Sequence, residues 1–169
     1  MYMTESVANY FIKGYRSGEI NSLSPMKLQK LLFISQCWYL QLYNDFIVED
    51  GFSMWQHGPV IPAIYHKTSH YKEKNIEDYI RQVFKGEISH YHIPEHDKQV
   101  KDFLNKIAEV YGSLRGSQLA YLILNNTECP PESHPFERKH IETFVINIEK
   151  KRLSKECEVN APNSLVKRL

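Results

Sequence analysis

Residues 24–43 constrain this chain more than any other stretch, because they specify a helix and leave it almost no polar side. Ser24 can accept from the free amides of a first turn, and Pro25 at the first helical position gives up an N–H that would have had no partner there. From that start Leu28, Leu31, Leu32, Ser35, Trp38, Tyr39 and Leu42 recur with helical period, an apolar stripe interrupted only by Ser35. Phe33, Ile34, Cys37 and Leu40 fall outside the stripe, so apolar side chains cover most of the circumference. Such a helix is buried on most of its surface, and it is expected to be the central helix of the domain. It is not a membrane span, since Lys27, Gln29, Lys30, Gln36 and Gln41 break the apolar run.

After Tyr43 the period changes. Asn44-Asp45 reads as a turn, residues 46–48 as a short strand, Glu49-Asp50-Gly51 as a second turn and residues 52–56 as the returning strand, which predicts a small β-hairpin. Gly58-Pro59 is expected to stop that strand and Pro62 to open a helix carrying Ile64 and Tyr65, running to about Tyr71. On this reading Trp55 is a core ring that clamps the hairpin to the central helix, so that Trp55→Ala mainly unfolds the protein at a cost of ~3–5 kcal/mol. The sharper alternative exposes the polar edge of the turn, Gln56 and His57 with nearby Tyr65 and His66, as a partner-recognition surface.

The flanking segments read as further helices. Thr4 is placed to cap the first, with Val7, Tyr10, Phe11 and Tyr15 in period and Gly14 and Gly18 weakening and ending it. Pro94, Glu95 and Asp97 precede a helix with Val100, Phe103, Leu104, Ile107, Ala108 and Tyr111 on one face, closed by Gly112. Ser117 can cap a shorter helix, apolar from Leu119 to Leu124; a proline-rich loop follows, and then a last helix with Ile141, Phe144, Val145 and Ile148 on one face. Residues 76–93 fit two readings, helical turns through Tyr79, Ile80, Val83 and Phe84 or strand-like alternation over 88–93. The fold class is therefore mainly α, a helical domain over residues 1–153 with a central buried helix and a small β-hairpin, and residues 154–169 are expected to form a flexible C-terminal tail.

Composition narrows the function. With 42% hydrophobic and 24% charged residues in 169, the chain has the makings of one globular domain. Its 21 basic and 20 acidic residues leave a net charge of +1, so nucleic acid would need a local basic face such as Lys27, Lys30, Lys67 and Lys72, or Lys150, Lys151, Arg152 and Lys155, and is not the favoured partner. The usual meaning of the Lys27–Lys30 pair is a solvated helix face. Cys37, Cys129 and Cys157 are odd in number and widely spaced, which argues against a disulfide framework and a thiolate zinc site. With no leader-like segment at the start, a cytoplasmic location is expected. His66 and His70 have a spacing that can share one ion, but no third ligand is fixed, so no metal and no cofactor are expected. No nucleophile elbow or phosphate loop is present, and Cys37 in an apolar helix reads as inert packing, so the chain is not expected to be an enzyme.

One set of residues carries a family likeness. Lys27-Leu28-Gln29-Lys30-Leu31-Leu32-Phe33, followed by Trp55-Gln56-His57-Gly58-Pro59-Val60 and then Pro62 and Tyr65, resembles the Panacea domain family, the SocA-like antitoxins of bacterial toxin–antitoxin systems and phages. Leu28, Lys30, Leu31, Trp55, Gly58 and Pro59 form its structural signature. This chain departs from the family pattern at Met54, at His57, at Leu122-Ile123-Leu124 and at Pro135-Phe136. The resemblance implies a non-enzymatic antitoxin that binds and neutralises a cognate protein toxin, with a variant in which it hands that toxin to a Clp-type protease as an adaptor. The competing readings are a DNA-binding regulator of its own operon and a phage counter-defence protein.

Overall fold

The computed structural model describes residues 1–159, the stretch 156–159 by backbone alone. Among them, six α-helices and two small antiparallel hairpins follow the order α1 (Thr4–Arg16), α2 (Pro25–Tyr43), β1 (Ser53–Trp55), β2 (Gly58–Val60), α3 (Pro62–Thr68), β3 (Arg81–Phe84), β4 (Glu87–His90), α4 (Lys98–Tyr111), α5 (Gly116–Leu124) and α6 (Arg138–Val159). The mainly α class expected from the sequence holds at this level. Ser24 caps α2 as expected, its Oγ accepting from Lys27 N at 3.2 Å, and Asn44 ends the helix in the left-handed region at φ 55°.

Every residue of α2 from Lys27 to Trp38 is buried, and α1, α3, α4, α5, α6 and β2 all pack on it. Its apolar residues meet Val100, Phe103, Leu104 and Ile107 of α4, Leu119 and Ile123 of α5, and Ile141, Phe144 and Val145 of α6 in one continuous core. Its polar residues are inside too, where each must find a partner. Gln29 pairs both ways with the peptide of Ile61, its Oε1 accepting from Ile61 N at 2.9 Å and its Nε2 donating to Ile61 O at 3.1 Å. Gln36 Oε1 accepts from Ile47 N and Val48 N. Trp38 Nε1 donates to the Tyr111 hydroxyl at 2.9 Å. The central helix therefore supplies the hydrogen bonds that irregular segments around it cannot make among themselves.

That arrangement corrects the hairpin. Residues 46–48 do not form its first strand, because the Ile47 and Val48 amides are taken by Gln36 and Tyr2 bridges this segment through Ile47 O. The pair instead joins β1 to β2, with Met54 opposite Pro59, Trp55 opposite Gly58, and Gln56-His57 as the turn. Gly58-Pro59 begins the second strand instead of ending the first; proline is tolerated there because the strand lies at an edge. On the other side of β1, residues 133–136 run alongside, with Met54 N donating to His134 O and Phe136 N to Phe52 O. Phe136 then packs edge-on against Phe33 of α2, ring centroids 5.0 Å apart.

Two helix starts also differ in detail, while α4 starts after Asp97 as expected. Met3, not Thr4, precedes α1, and Thr4 Oγ1 accepts from Asp50 N in the neighbouring loop. Gly116 opens α5 where the helix meets the start of α2, and its capping bond runs from Arg115 N to Gln118 Oε1, leaving Ser117 inside the first turn. Asp97 precedes α4 without a side-chain cap bond. The open stretch 76–93 resolves as the β3–β4 hairpin, turned by Lys85 and Gly86 at φ 50° and 81°, the paired positive values a two-residue hairpin favours. Asn9 of α1 holds its base, bonding both ways to the Ile80 peptide and donating to Tyr91 O. The last helix continues past Ser154 through Val159, and the remainder of the expected tail lies outside the described residues.

Candidate partner-binding cleft

Where the first turns of α2 face the β1–β2 hairpin and α3, a cleft of about 420 Å³ opens to solvent. Pro25, Met26, Gln29 and Lys30 of α2 line one wall. Trp55, Gln56, His57 and Val60 of the hairpin line the second, and Tyr65, Ser69 and Lys72 the third.

Trp55 is not a core ring. It is half-buried and meets Tyr65 edge-on, with centroids 4.8 Å apart and planes at 65°, so the two aromatics form a rim between hairpin and α3. The fully buried tryptophan is Trp38. The reason is the altered pairing: with the turn at Gln56-His57, Trp55 is the last residue of β1, opposite Gly58, and points away from the packed interior. Gln56 and His57 are exposed on the turn, and Tyr65 is 39% exposed. The structure thus brings Gln56, His57 and Tyr65 onto one cleft. His66 is exposed beside Tyr65, with ring centroids 5.7 Å apart, but it does not line the cleft.

Lys27 and Lys30 are buried, which overturns the expectation of a solvated helix face and removes them from any phosphate-binding surface. Lys27 Nζ donates to Gly112 O at 2.5 Å, Asn21 Oδ1 at 3.2 Å and Ser22 Oγ at 3.3 Å, tying the start of α2 to the loop before it and to the end of α4. Lys30 Nζ donates to Pro59 O at 3.0 Å and so pins β2 to the central helix. Gly58 makes room for it: at φ 103° the residue favours glycine, and a Cβ there would stand 3.4 Å from Lys30 Nζ. Burial lowers both lysines to about pH 8, with the half-buried Cys129 thiol nearby pulling Lys30 the other way. Sequence reading missed the lysines because lysine usually marks a surface. The usable signal was that Leu28, Leu31, Leu32, Phe33 and Ile34 surround them on every side.

The remaining candidates sit elsewhere. His66 and His70 are exposed, and among the described residues the only trio placed to share an ion is acidic, Glu5, Glu49 and Asp50, of which Glu5 is already paired with Lys67. Cys37 lies wholly inside, its thiol pushed up by burial, as suits packing. Among the described residues no helix is long and apolar enough to cross a membrane.

The geometry defines a mainly α-helical domain whose central helix and hairpin share one open cleft. The chain belongs to the antitoxin SocA-like, Panacea domain family: the family model matches residues 28–128, from the first turns of α2 to the loop after α5. Membership assigns it an antitoxin-type role in general terms. No curated protein and no solved structure matches the chain.

Proposed function

We propose that this protein is a non-enzymatic antitoxin that binds and neutralises a cognate protein toxin, using the cleft and the exposed turn beside it as its contact face. The observation that carries this reading is the coincidence of the family match with the cleft: the lining from Gln29 to Lys72 falls within the matched region. Its rim combines an exposed aromatic pair with the polar Gln56 and His57, a composition suited to protein contacts. A scaffold pinned by Gln29, Lys30 and Trp38 can present that turn with little loss of freedom on binding. In the adaptor variant, the bound toxin is passed to a Clp-type protease rather than simply occluded.

Co-expression tests the reading. An adjacent reading frame that stops growth alone should become harmless with this gene, and the two products should co-purify. The triple variant Gln56→Ala/His57→Ala/Tyr65→Ala should stay folded and lose rescue. A folded triple variant that still rescues growth would move the contact face elsewhere. Comparing toxin half-life with and without the protease separates the adaptor variant from occlusion.

A further inference from the structure

The turn that follows α3 puts a lysine where the backbone favours glycine. Lys72 sits at φ 56° and ψ −114°, and Lys74 N donates to Tyr71 O at 2.9 Å, so residues 71–74 form a β-turn with Lys72 at its first central position. Those angles are the ones a type II′ turn requires there, and glycine is the usual occupant because a Cβ is crowded in that region. Asn44 also has a positive φ, but its ψ of 29° lies in the ordinary left-handed well, and that of Lys72 does not. Neighbouring bonds hold the turn in this shape. The Tyr71 hydroxyl accepts from Asp78 N at 3.1 Å, Leu23 N donates to Asn75 Oδ1 at 2.8 Å, and Ile76 N donates to Leu23 O at 2.8 Å. Strain of this kind persists where the surroundings over-determine it, and it gathers at ligand clamps.

What glycine would lack at this position is the side chain. Lys72 is exposed and belongs to the cleft lining, and among the described residues it forms no ion pair. No Asp or Glu lines the cleft, and Lys30, the other lysine of the lining, is buried with its ammonium on Pro59 O. The exposed charge of the cleft is therefore positive, and it stands beside an apolar surface made by Met26 and the Trp55–Tyr65 pair. We propose that Lys72 is the specificity-determining cation of the cleft: its ammonium pairs with an Asp or Glu side chain of the bound polypeptide, while an apolar neighbour in the same segment lies against Trp55 and Tyr65. This rests on the reading that the partner is a protein, and it narrows that partner to one presenting a carboxylate beside an apolar residue. An open ion pair of this kind changes affinity by about two- to fivefold, which selects between partner segments without holding one alone.

The test uses the full chain and two capped dipeptide probes, acetyl-phenylalanyl-glutamate amide and its neutral twin with glutamine. The chain has two tryptophans, and NMR should show the indole N–H signal of Trp55 moving saturably with the glutamate probe while that of buried Trp38 stays in place. The glutamine probe should bind more weakly by about two- to fivefold. Lys72→Gly should erase that preference and raise the melting temperature by about 2–4 °C, because the strained turn is relieved. Lys72→Met keeps the strain and loses the charge, so it should erase the preference with the melting temperature unchanged. Lys72→Arg should keep both. Equal affinity for the two probes, a Trp55 signal that does not move, a preference that survives in Lys72→Gly or Lys72→Met, a Lys72→Gly protein that melts no higher than the parent, or displacement of the glutamate probe by equimolar inorganic phosphate would each overturn the proposal. No toxin is present in this assay, so its failure sinks the role of Lys72 alone, whereas failure to find a toxin by co-expression sinks the functional reading alone.

Discussion

Replacing Gln29 by leucine isolates what the central helix contributes to the cleft. The two side chains are close in size, so little cavity is created, and the loss is confined to the paired bonds with the Ile61 peptide at 2.9 and 3.1 Å. Gln29 is 3% exposed and Ile61 1%, so water cannot take over either bond. Each orphaned buried group costs ~1–3 kcal/mol, giving ~2–6 kcal/mol for the pair. The apolar leucine returns ~1 kcal/mol, and a net loss of about 3 kcal/mol is expected. In a domain of this size that corresponds to a fall in Tm of roughly 6–12 °C. Urea unfolding followed by tryptophan fluorescence should show a lower midpoint with an unchanged m-value. Because Ile61 is the residue from which α3 starts, hydrogen exchange should accelerate first in residues 62–68. Gln29→Glu would bury a carboxylate with one oxygen against Ile61 O, so at neutral pH it should destabilise at least as much as leucine. A Gln29→Leu protein within about 0.5 kcal/mol of the parent would refute the idea that α2 side chains hold the irregular segments in place.

Trp55→Ala should cost only about 1–2 kcal/mol, since the ring is half-buried, and should abolish growth rescue in a folded protein, whereas Trp38→Ala should cost ~4 kcal/mol or more and lose the Tyr111 bond as well; circular dichroism and thermal melts of the two variants check this. Gly58→Ala forces a side chain onto a φ of 103° beside Lys30 Nζ and should destabilise by ~1–3 kcal/mol, measured by urea unfolding. Stability should rise between about pH 8 and 9: Lys27 and Lys30 release their protons near pH 8 when folded but keep them to about 10.5 when unfolded, so over that window the unfolded state binds more protons. The buried thiols Cys37 and Cys129 oppose this trend near and above their ordinary value of 9, and Tyr111, raised to about 12, opposes it above 10. The urea midpoint at pH 8.5 should therefore exceed that at 7.5, and Lys30→Met should flatten the difference.

The sequence made the helices legible where local chemistry decides them. The Ser24-Pro25 start and the stripe through Leu28, Leu31, Leu32 and Trp38 located the central helix, because capping and period are written into neighbouring residues. The hairpin was legible in kind but not in pairing. Gly58-Pro59 reads locally as a breaker, but it pairs with β1 as a strand, and Lys30 holds it through Pro59 O. Trp55 was misplaced for the same reason, since moving the turn to Gln56-His57 changes which residues face the core. Residues 46–48 failed as a strand because Gln36, distant in sequence, claims their amides.

The least legible residue is also the most consequential one. A lysine on a helix is normally read as solvated, and nothing within a few positions of Lys30 distinguishes it from Lys27, its neighbour one turn away. Tertiary packing separates them: Lys27 meets the loop before α2 and the end of α4, while Lys30 meets Pro59 O beside Gly58 and so holds β2. A substitution there changes how β2, whose Val60 lines the cleft, is held, so the loss of rescue in a Lys30 variant would not by itself assign a contact. Exposed rim positions such as Gln56, His57 and Lys72 carry no comparable packing, and function lost there with stability intact marks the binding face.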